Sequence, residues 1–468
     1  MKKVKAAGMF IAAALSALVA RSATAAVPAE EAKQLGTTLT EWGAEKAGNA
    51  DGSIPPYTGG IEKVPGFDRK TSHAYVDPFA NDKPLYTIDA KNLVQYADQL
   101  TEGTKALFRA HPDYKMDVYP THRSMRYPQW TVQNTLKNAN TAKLVGAVDG
   151  DSMAGADKGL PFPGIPFPIP KTGTEAMWNH KMHVTPAVRR SRAGGYLVDT
   201  SGRVATLPLQ ELYVVSPWYD TKDAMRKGTF NAFFGFNSTL IEPPSAAGTV
   251  FLNLYLPTAD NGGQKVWFYT PGQRRVRLAP EFAYDVPIAS YGGVIFWDDI
   301  CGFAGRLDRF EYKLAGKKEM VVPYNVYSIT NTMTTTDDFL GPKFVKPAGL
   351  RFEKHRVWVV DSVRKPGVRH AYARRTFYLD EDSWQILANE TYDNSGKVWR
   401  VSYVASFPTY DLGGMNGDGW ITYDLMKGNY FMDNVAAGFS GRGLRSYETA
   451  EGMRLPLTPA AVEASGVR

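Results

Sequence analysis

The sequence predicts a mainly β protein with helices, built on one large antiparallel sheet that mostly meanders. Three observations predict it. Beyond about residue 180, short runs rich in Val, Ile, Tyr, Phe and Trp alternate with turn formers. No alternation of strand and helix patterns appears, which disfavours a doubly wound parallel fold. No fixed-period repeat is present either, which counts against a solenoid or propeller.

The elements follow in chain order. Lys2, Lys3 and Lys5 precede the apolar run GMFIAAALSALVA and the small-residue stretch RSATAAVP. This is the layout of a secretory signal peptide over 1–26, cleaved near Ala25 or Ala26. The apolar run is too short and Ala-rich for a membrane span, which needs about 20 apolar residues. The expected address is therefore the periplasm, with no transmembrane segment in the mature chain. Of the formal +7 charge, Lys2, Lys3, Lys5 and Arg21 leave with the signal, so +3 remains. That near-neutral balance gives no support for nucleic-acid binding. Cys301 is the only cysteine, so no intramolecular disulfide forms.

Residues 27–157 read as a helical and extended region that packs on the sheet. A surface helix is expected over 28–49, where Ala32, Leu35, Leu39 and Trp42 recur at spacings of three or four. Residues 51–82 are rich in Gly, Pro and charge and read as extended. Asp89 caps a predicted helix that runs to Pro112, and a second helix is expected over 130–145.

A Pro-rich arm, 159–173, opens the sheet domain that spans 158–458. Five prolines between Pro161 and Pro170 interleave with Phe162, Ile165, Phe167 and Ile169. Proline lacks a backbone donor and fixes φ, so the arm is stiff and extended, with its apolar side chains free to seek a surface. Trp178 anchors its C-terminal flank, where the chain is expected to enter the sheet. Gly164 and Gly173 are the positions where a lid would hinge.

Strands are then predicted over 250–256, 265–270 and 274–280, with turns at the Gly262-Gly263 and Pro271-Gly272 pairs. Further strand runs lie within 306–329, 355–365 and 373–406, with joints at Ala315-Gly316, Lys365-Pro366-Gly367, Asp380-Glu381-Asp382 and Asp393-Asn394-Ser395-Gly396. In KVWFYT, Trp267 and Tyr269 share one face and Val266 and Phe268 the other. Both faces are apolar, so the sheet is covered on both sides or lines a cavity. Residues 459–468 form a C-terminal tail with a short helix after Pro459.

Signatures of chemistry are sparse. There is no G-x-S-x-G elbow, no phosphate-binding loop and no H-E-x-x-H, so no cofactor, metal or catalytic residue is expected. On a helix the spacing of His180 and His183 would bring two imidazoles together, but the segment reads as the entrance to a strand, where they face opposite ways, and no adjacent acidic ligand completes a metal site. Gly417-Asp418-Gly419 reads as a bend, and it lacks the other oxygen ligands of a calcium loop. The carboxylates Asp298, Asp299, Asp337, Asp338, Asp411 and Asp418 keep a polysaccharide hydrolase or lyase open as an alternative, since such enzymes place two carboxyls about 5–10 Å apart.

The runs GIPFPIPKTGTEAMWNH, KVWFYTPGQRRVRLAPE and FYLDEDSWQILANETYDNSGKVWRV resemble domain-of-unknown-function family 1329, secreted bacterial proteins of similar length. That family is distantly similar to periplasmic lipoprotein-localisation carriers and outer-membrane receptors. The resemblance implies a strongly curved sheet, an incomplete barrel, with helices covering or plugging its concave face over an apolar cavity. It implies a non-catalytic binding or carrier protein for a hydrophobic or lipid-like molecule. An inner-membrane transporter or an outer-membrane barrel protein is the implied protein partner. A structural docking role at such a partner is a further alternative. Strand aromatics are the candidate cavity lining: Trp267, Tyr269, Phe296, Trp297, Trp358 and Tyr378.

Overall fold

A computed structural model describes residues 27–466, except 147, 149, 227, 260–262, 280–283, 333–334 and 437–442. The expected signal peptide lies outside the described residues. The strands in chain order are β1 (Tyr86–Ile88), β2 (Met116–Val118), β3 (Lys143–Val145), β4 (Ser152–Ala154), β5 (Val188–Val198), β6 (Val204–Thr206), β7 (Leu209–Val215), β8 (Phe234–Glu242), β9 (Val250–Tyr255) and β10 (Gln264–Thr270). They continue with β11 (Arg275–Leu278), β12 (Phe310–Pro323), β13 (Phe352–Arg364), β14 (Arg374–Asp380), β15 (Ile386–Tyr392), β16 (Val398–Pro408), β17 (Met415–Asp424), β18 (Asn429–Val435) and β19 (Gly443–Tyr447). The α-helices are α1 (Ala29–Ala32), α2 (Glu102–Ala110), α3 (Gln129–Thr141), α4 (Gly173–Lys181) and α5 (Pro459–Gly466).

The main sheet is antiparallel and runs β12-β13-β14-β15-β16-β17-β18-β5-β7-β8-β9-β10-β11. Its two halves meet on β5, which is long enough to serve both. Gly194 to Val198 pair with β18, and Val188 to Ala193 pair with β7. Among the described residues the register pairs β11 with β10 and β12 with β13 but not β11 with β12, so the sheet is open rather than a closed barrel. The curvature shows in what one segment touches. Residues 284–308 reach Arg375 on β14 and approach Ile386 and Val404 on β15 and β16. The same segment meets Leu197 on β5 and lines a cavity together with Leu212 on β7. We call this segment the plug and the face it fills the inner face.

Helix α4 lies on the inner face beside the plug. Helix α2 covers the opposite face of β15 and β16. The N–H of Gly103 donates to Glu390 at 3.0 Å, and Thr104 shares a hydrogen bond with Tyr403 at 2.7 Å. Gly103 has no side chain for a reason: a Cβ there would sit 2.9 Å from both Glu390 and Val401.

Several local expectations change. Only Ala29–Ala32 is α-helical within 28–49. The chain then turns, with Gly36 and Gly43 at φ +83° and +93° and the N–H of Ala44 donating to the Thr40 hydroxyl at 2.9 Å. Trp42 is buried against Tyr127, ring centroids 4.2 Å apart, rather than resting on a surface helix. The helix expected to reach Pro112 divides into a 3-10 turn (Leu93–Gln99) and α2, because Thr101 caps the second piece through the N–H of Thr104. Ala315-Gly316 is a β-bulge within one long strand, with Gly316 at φ +97°, and not a break between two.

The arm is held between α3 and α4. Its prolines leave few N–H groups, and three of those that remain meet side-chain oxygens. Phe162 donates to Asn138 at 2.8 Å, Ile165 to Thr135 at 2.9 Å and Phe167 to Asn179 at 2.9 Å. Asn179 returns a bond to the Phe167 carbonyl at 2.7 Å. Ile165 and Phe167 are buried, and Phe162 and Ile169 half-buried. Trp178, Asn179 and His180 sit on helix α4 rather than at a strand entrance, and all three are buried. Gly164 and Gly173 serve close approach. A Cβ at Gly164 would come within 2.8 Å of the Thr131 carbonyl, and one at Gly173 within 2.6 Å of the Tyr312 backbone.

Candidate functional site

A partly open cavity of about 140 Å³ lies between the inner face of β7–β9 and the plug. Strand alternation builds its first wall. Gln210, Leu212 and Val214 of β7 stand opposite Leu240, Ser238 and Phe236 of β8. Ser238 in turn stands opposite Phe251 of β9, and Phe234 completes the row. The second wall is Ile288, Tyr291, Trp297 and Ile300 of the plug, with Trp420 of β17 and Asp433 of β18. Trp420 and Asp433 are register partners, so both project to the inner face. No Lys, Arg or His lines this cavity among the described residues.

The plug is fixed by a buried ionic cluster. Arg375 donates to both oxygens of Asp298, at 2.8 and 3.1 Å, and also to Asp299. His370 bonds Asp298 at 2.9 Å, and the Tyr372 hydroxyl donates to Asp299 at 2.8 Å. Arg400 adds contacts to Asp299 and Tyr372. Burial works against ionisation of Asp298, but the Arg375 guanidinium and the His370 hydrogen bond together outweigh it and hold the carboxyl well below the usual range. The other end of the plug rests on α4. His180 bonds the Phe303 carbonyl at 3.2 Å and accepts from the N–H of Ile386 at 3.2 Å. Lys181 donates to the Gly305 carbonyl at 2.6 Å, and its burial pulls its amine down to about 7. Between these anchors Cys301 is left-handed (φ +51°) and Gly302 has φ +90°, where a Cβ would crowd Ile386 and Val404 at 3.1–3.2 Å.

Of the aromatic residues expected to line a cavity, Trp297 does so. Phe296 is its neighbour but packs under Arg400, whose guanidinium lies 4.2 Å from its ring. Trp267 and Tyr269 lie on the opposite face of β10, packed with Leu252 and Val250 and with Leu457 and Val462 of the C-terminal segment. Phe268 is the β10 residue that shares a face with Phe251. Trp358 stacks on Trp384 with centroids 5.9 Å apart. Tyr378 donates to Glu390 at 2.8 Å on the face covered by α2. Sequence reasoning missed Phe234, Phe236, Phe251, Trp420 and Asp433. The alternation Phe234, Phe236, Ser238, Leu240 was a signal that could have found one wall.

The carboxylates considered for hydrolysis are largely engaged. Asp418 lies within strand β17, not in a bend, and is held by Arg189 at 2.7 and 3.0 Å. Asp411 accepts from Arg69 and Tyr75 at 2.6 and 2.9 Å. Asp337 and Asp338 lie on a surface 3-10 turn. His180 and His183 are stacked at 5.6 Å near the end of α4, each bonded to a backbone carbonyl, at Phe303 and His180 respectively. Elsewhere, His355, Asp380 and Asp382 bring potential metal-ligand atoms within 4.8 Å of one another. Arg123 already occupies both oxygens of Asp382, at 2.9 and 2.7 Å, so a cation there would meet a guanidinium.

Fold and cavity together define an open, plugged antiparallel sheet with an apolar chamber between sheet and plug. The chain belongs to DUF1329, a protein family of unknown function, whose model matches residues 87–454. It is 35% identical over 458 residues to the uncharacterized protein PA3922 of Pseudomonas aeruginosa, covering 96% of each chain. Among solved structures it is similar to a putative outer membrane lipoprotein-sorting protein domain from Vibrio parahaemolyticus (TM-score 0.38, 14% identity, 59% of this chain and 91% of that one). It is also similar to a DUF1329 family protein from Desulfovibrio piger (TM-score 0.36, 13% identity, 56% and 86%). A third is the LolA superfamily protein NE2245 from Nitrosomonas europaea (TM-score 0.34, 12% identity, 59% and 94%).

Proposed function

We propose that this protein is a non-catalytic carrier that takes the apolar part of a hydrophobic molecule into the chamber between β7–β9 and the plug. The observation that carries this reading is the chamber itself, whose walls are apolar and aromatic with few polar groups. At about 140 Å³ it matches the size of an apolar cavity that accepts a benzene ring. It therefore takes a ring or a short stretch of acyl chain, and the rest of the cargo extends through the open side. Burying about five methylenes contributes roughly 4 kcal/mol. That alone corresponds to about millimolar affinity, so further contacts along the cargo set the final strength.

The anchored plug supports a preformed chamber. Export by the N-terminal signal would place the carrier in the periplasm, serving an envelope transport system through an inner-membrane transporter or an outer-membrane barrel protein. No helix among the described residues is long and apolar enough to cross a membrane. The hydrolase alternative draws mainly on carboxylates that arginines already hold.

The test is binding of Nile red to the mature protein and to Leu212→Trp, which fills the chamber from β7. Saturable binding that the substitution abolishes, with the melting temperature kept within a few degrees, is the expected result. Equal binding by both proteins would place the probe elsewhere and overturn the proposal.

A further inference from the structure

The chamber holds one buried acid without a cationic partner. The neighbouring inner-face acids all have one. Asp298 and Asp299 are held by Arg375, Asp418 by Arg189 and Asp424 by Arg400. Asp433 is 2% exposed, and among the described residues no Lys, Arg or His forms an ion pair with it. Among the described residues its side-chain partner is the Tyr291 hydroxyl, which donates to Oδ2 at 2.7 Å.

Its position is built into the fold. A bulge shifts the β18–β5 register between Met432 and Val435, and Asn434 adopts φ +54° within it. The bulged residue is fastened by a bond from the Asn434 amide to the Asp418 carbonyl at 3.0 Å. The nearby polar groups satisfy one another: Ser238 donates to Gln210, and Gln210 to Asn434 at 3.3 Å. Asp433 is left as the group that can bear charge in a wall of rings.

Resting on the carrier reading above, we propose that the chamber selects cargo bearing a protonated amine next to its apolar body, paired with Asp433 and ringed by Tyr291, Trp297 and Trp420. A carboxylate or phosphate head would find no counter-cation in these walls and would face Asp433. An ammonium gains both a charge-assisted hydrogen bond and the faces of the rings. Burial pushes the Asp433 carboxyl up to about 6, so it is mostly ionised near neutrality at a cost that a bound cation relieves.

The test is calorimetry of the mature protein at pH 7.5 with octylamine, octanol and octanoate, which share one apolar body. Octylamine is expected to bind at least tenfold more tightly than octanol, about 1.4 kcal/mol, with octanoate weakest. In Asp433→Asn the octylamine affinity falls at least tenfold while octanol stays within twofold. Should the variant fail to fold, the order of the three ligands on the native sequence decides alone. Octanol or octanoate binding as tightly as octylamine would overturn the amine proposal and leave the carrier reading standing. Absence of binding by all three, together with absence of Nile red binding, would overturn both.

Discussion

Replacing Arg375 by Met removes the guanidinium that fixes the plug. Arg375 is 1% exposed and serves Asp298 and Asp299 together, so the substitution leaves two buried carboxylates short of their main cation. Breaking a buried pair in this way costs about 3–5 kcal/mol. His370, Tyr372 and Arg400 remain in place, which keeps the cost within that range rather than doubling it. For a chain of this length the unfolding entropy is about 0.9 kcal/mol/K, so the melting temperature should fall by roughly 3–5 °C at pH 7.5. The pH dependence has a definite sign. Asp298 is held low in the folded state, so its ionic contribution is present above the unfolded value near 4 and is lost as pH falls below it. In the variant, burial dominates and Asp298 takes up a proton more readily. The deficit should therefore shrink between pH 7.5 and about 4. Thermal melts followed by tryptophan fluorescence read this directly, and adding Asp298→Asn and Asp299→Asn should restore at least half the loss. A deficit under 1 °C at pH 7.5, or one that grows on acidification, would refute the assigned role of the cluster.

Three further outcomes follow from the same geometry. Asp433→Asn should stabilise the ligand-free protein at pH 7.5 by about 3 kcal/mol, because a carboxyl raised from 3.8 to about 6 is penalised once ionised. Its advantage over the native sequence should grow from about pH 4 to pH 6 and then level off, as thermal melts across that window will show. Asn179→Leu strands the Phe167 N–H and carbonyl, should cost about 2–4 kcal/mol, and should expose residues 159–173 to limited proteolysis. Gly43→Ala should lift the N-terminal segment from the arm, since its Cβ would fall 1.7 Å from the Pro168 carbonyl at φ +93°; faster amide exchange over 40–57, with the strands unchanged, is the expected reading.

The sheet was legible in the sequence because strand alternation and turn residues are local signals. β9, β10 and β11 and the meander from β13 to β16 fall close to where the residue patterns put them. Facing was not legible. KVWFYT is apolar on both sides, and only the pairing of Phe268 with Phe251 reveals which side meets the chamber. Trp267 and Tyr269 instead meet a C-terminal segment nearly two hundred residues away in the chain. The plug was invisible for a similar reason. Asp298-Asp299 reads as a turn or a surface pair until β14 and β16 bring Arg375 and Arg400 against it. The arm was half legible. Its stiffness follows from the prolines, but its partners Thr135, Asn138 and Asn179 are helix side chains that a strand-like reading of the segment did not suggest.

Native mass spectrometry of protein purified gently from its own host tests the central claim most directly. A carrier should show an added mass in the native spectrum, released by organic solvent as a hydrophobic compound and absent from Leu212→Trp purified in the same way. The bare chain mass in both proteins, or the same adduct carried equally by both, would contradict it.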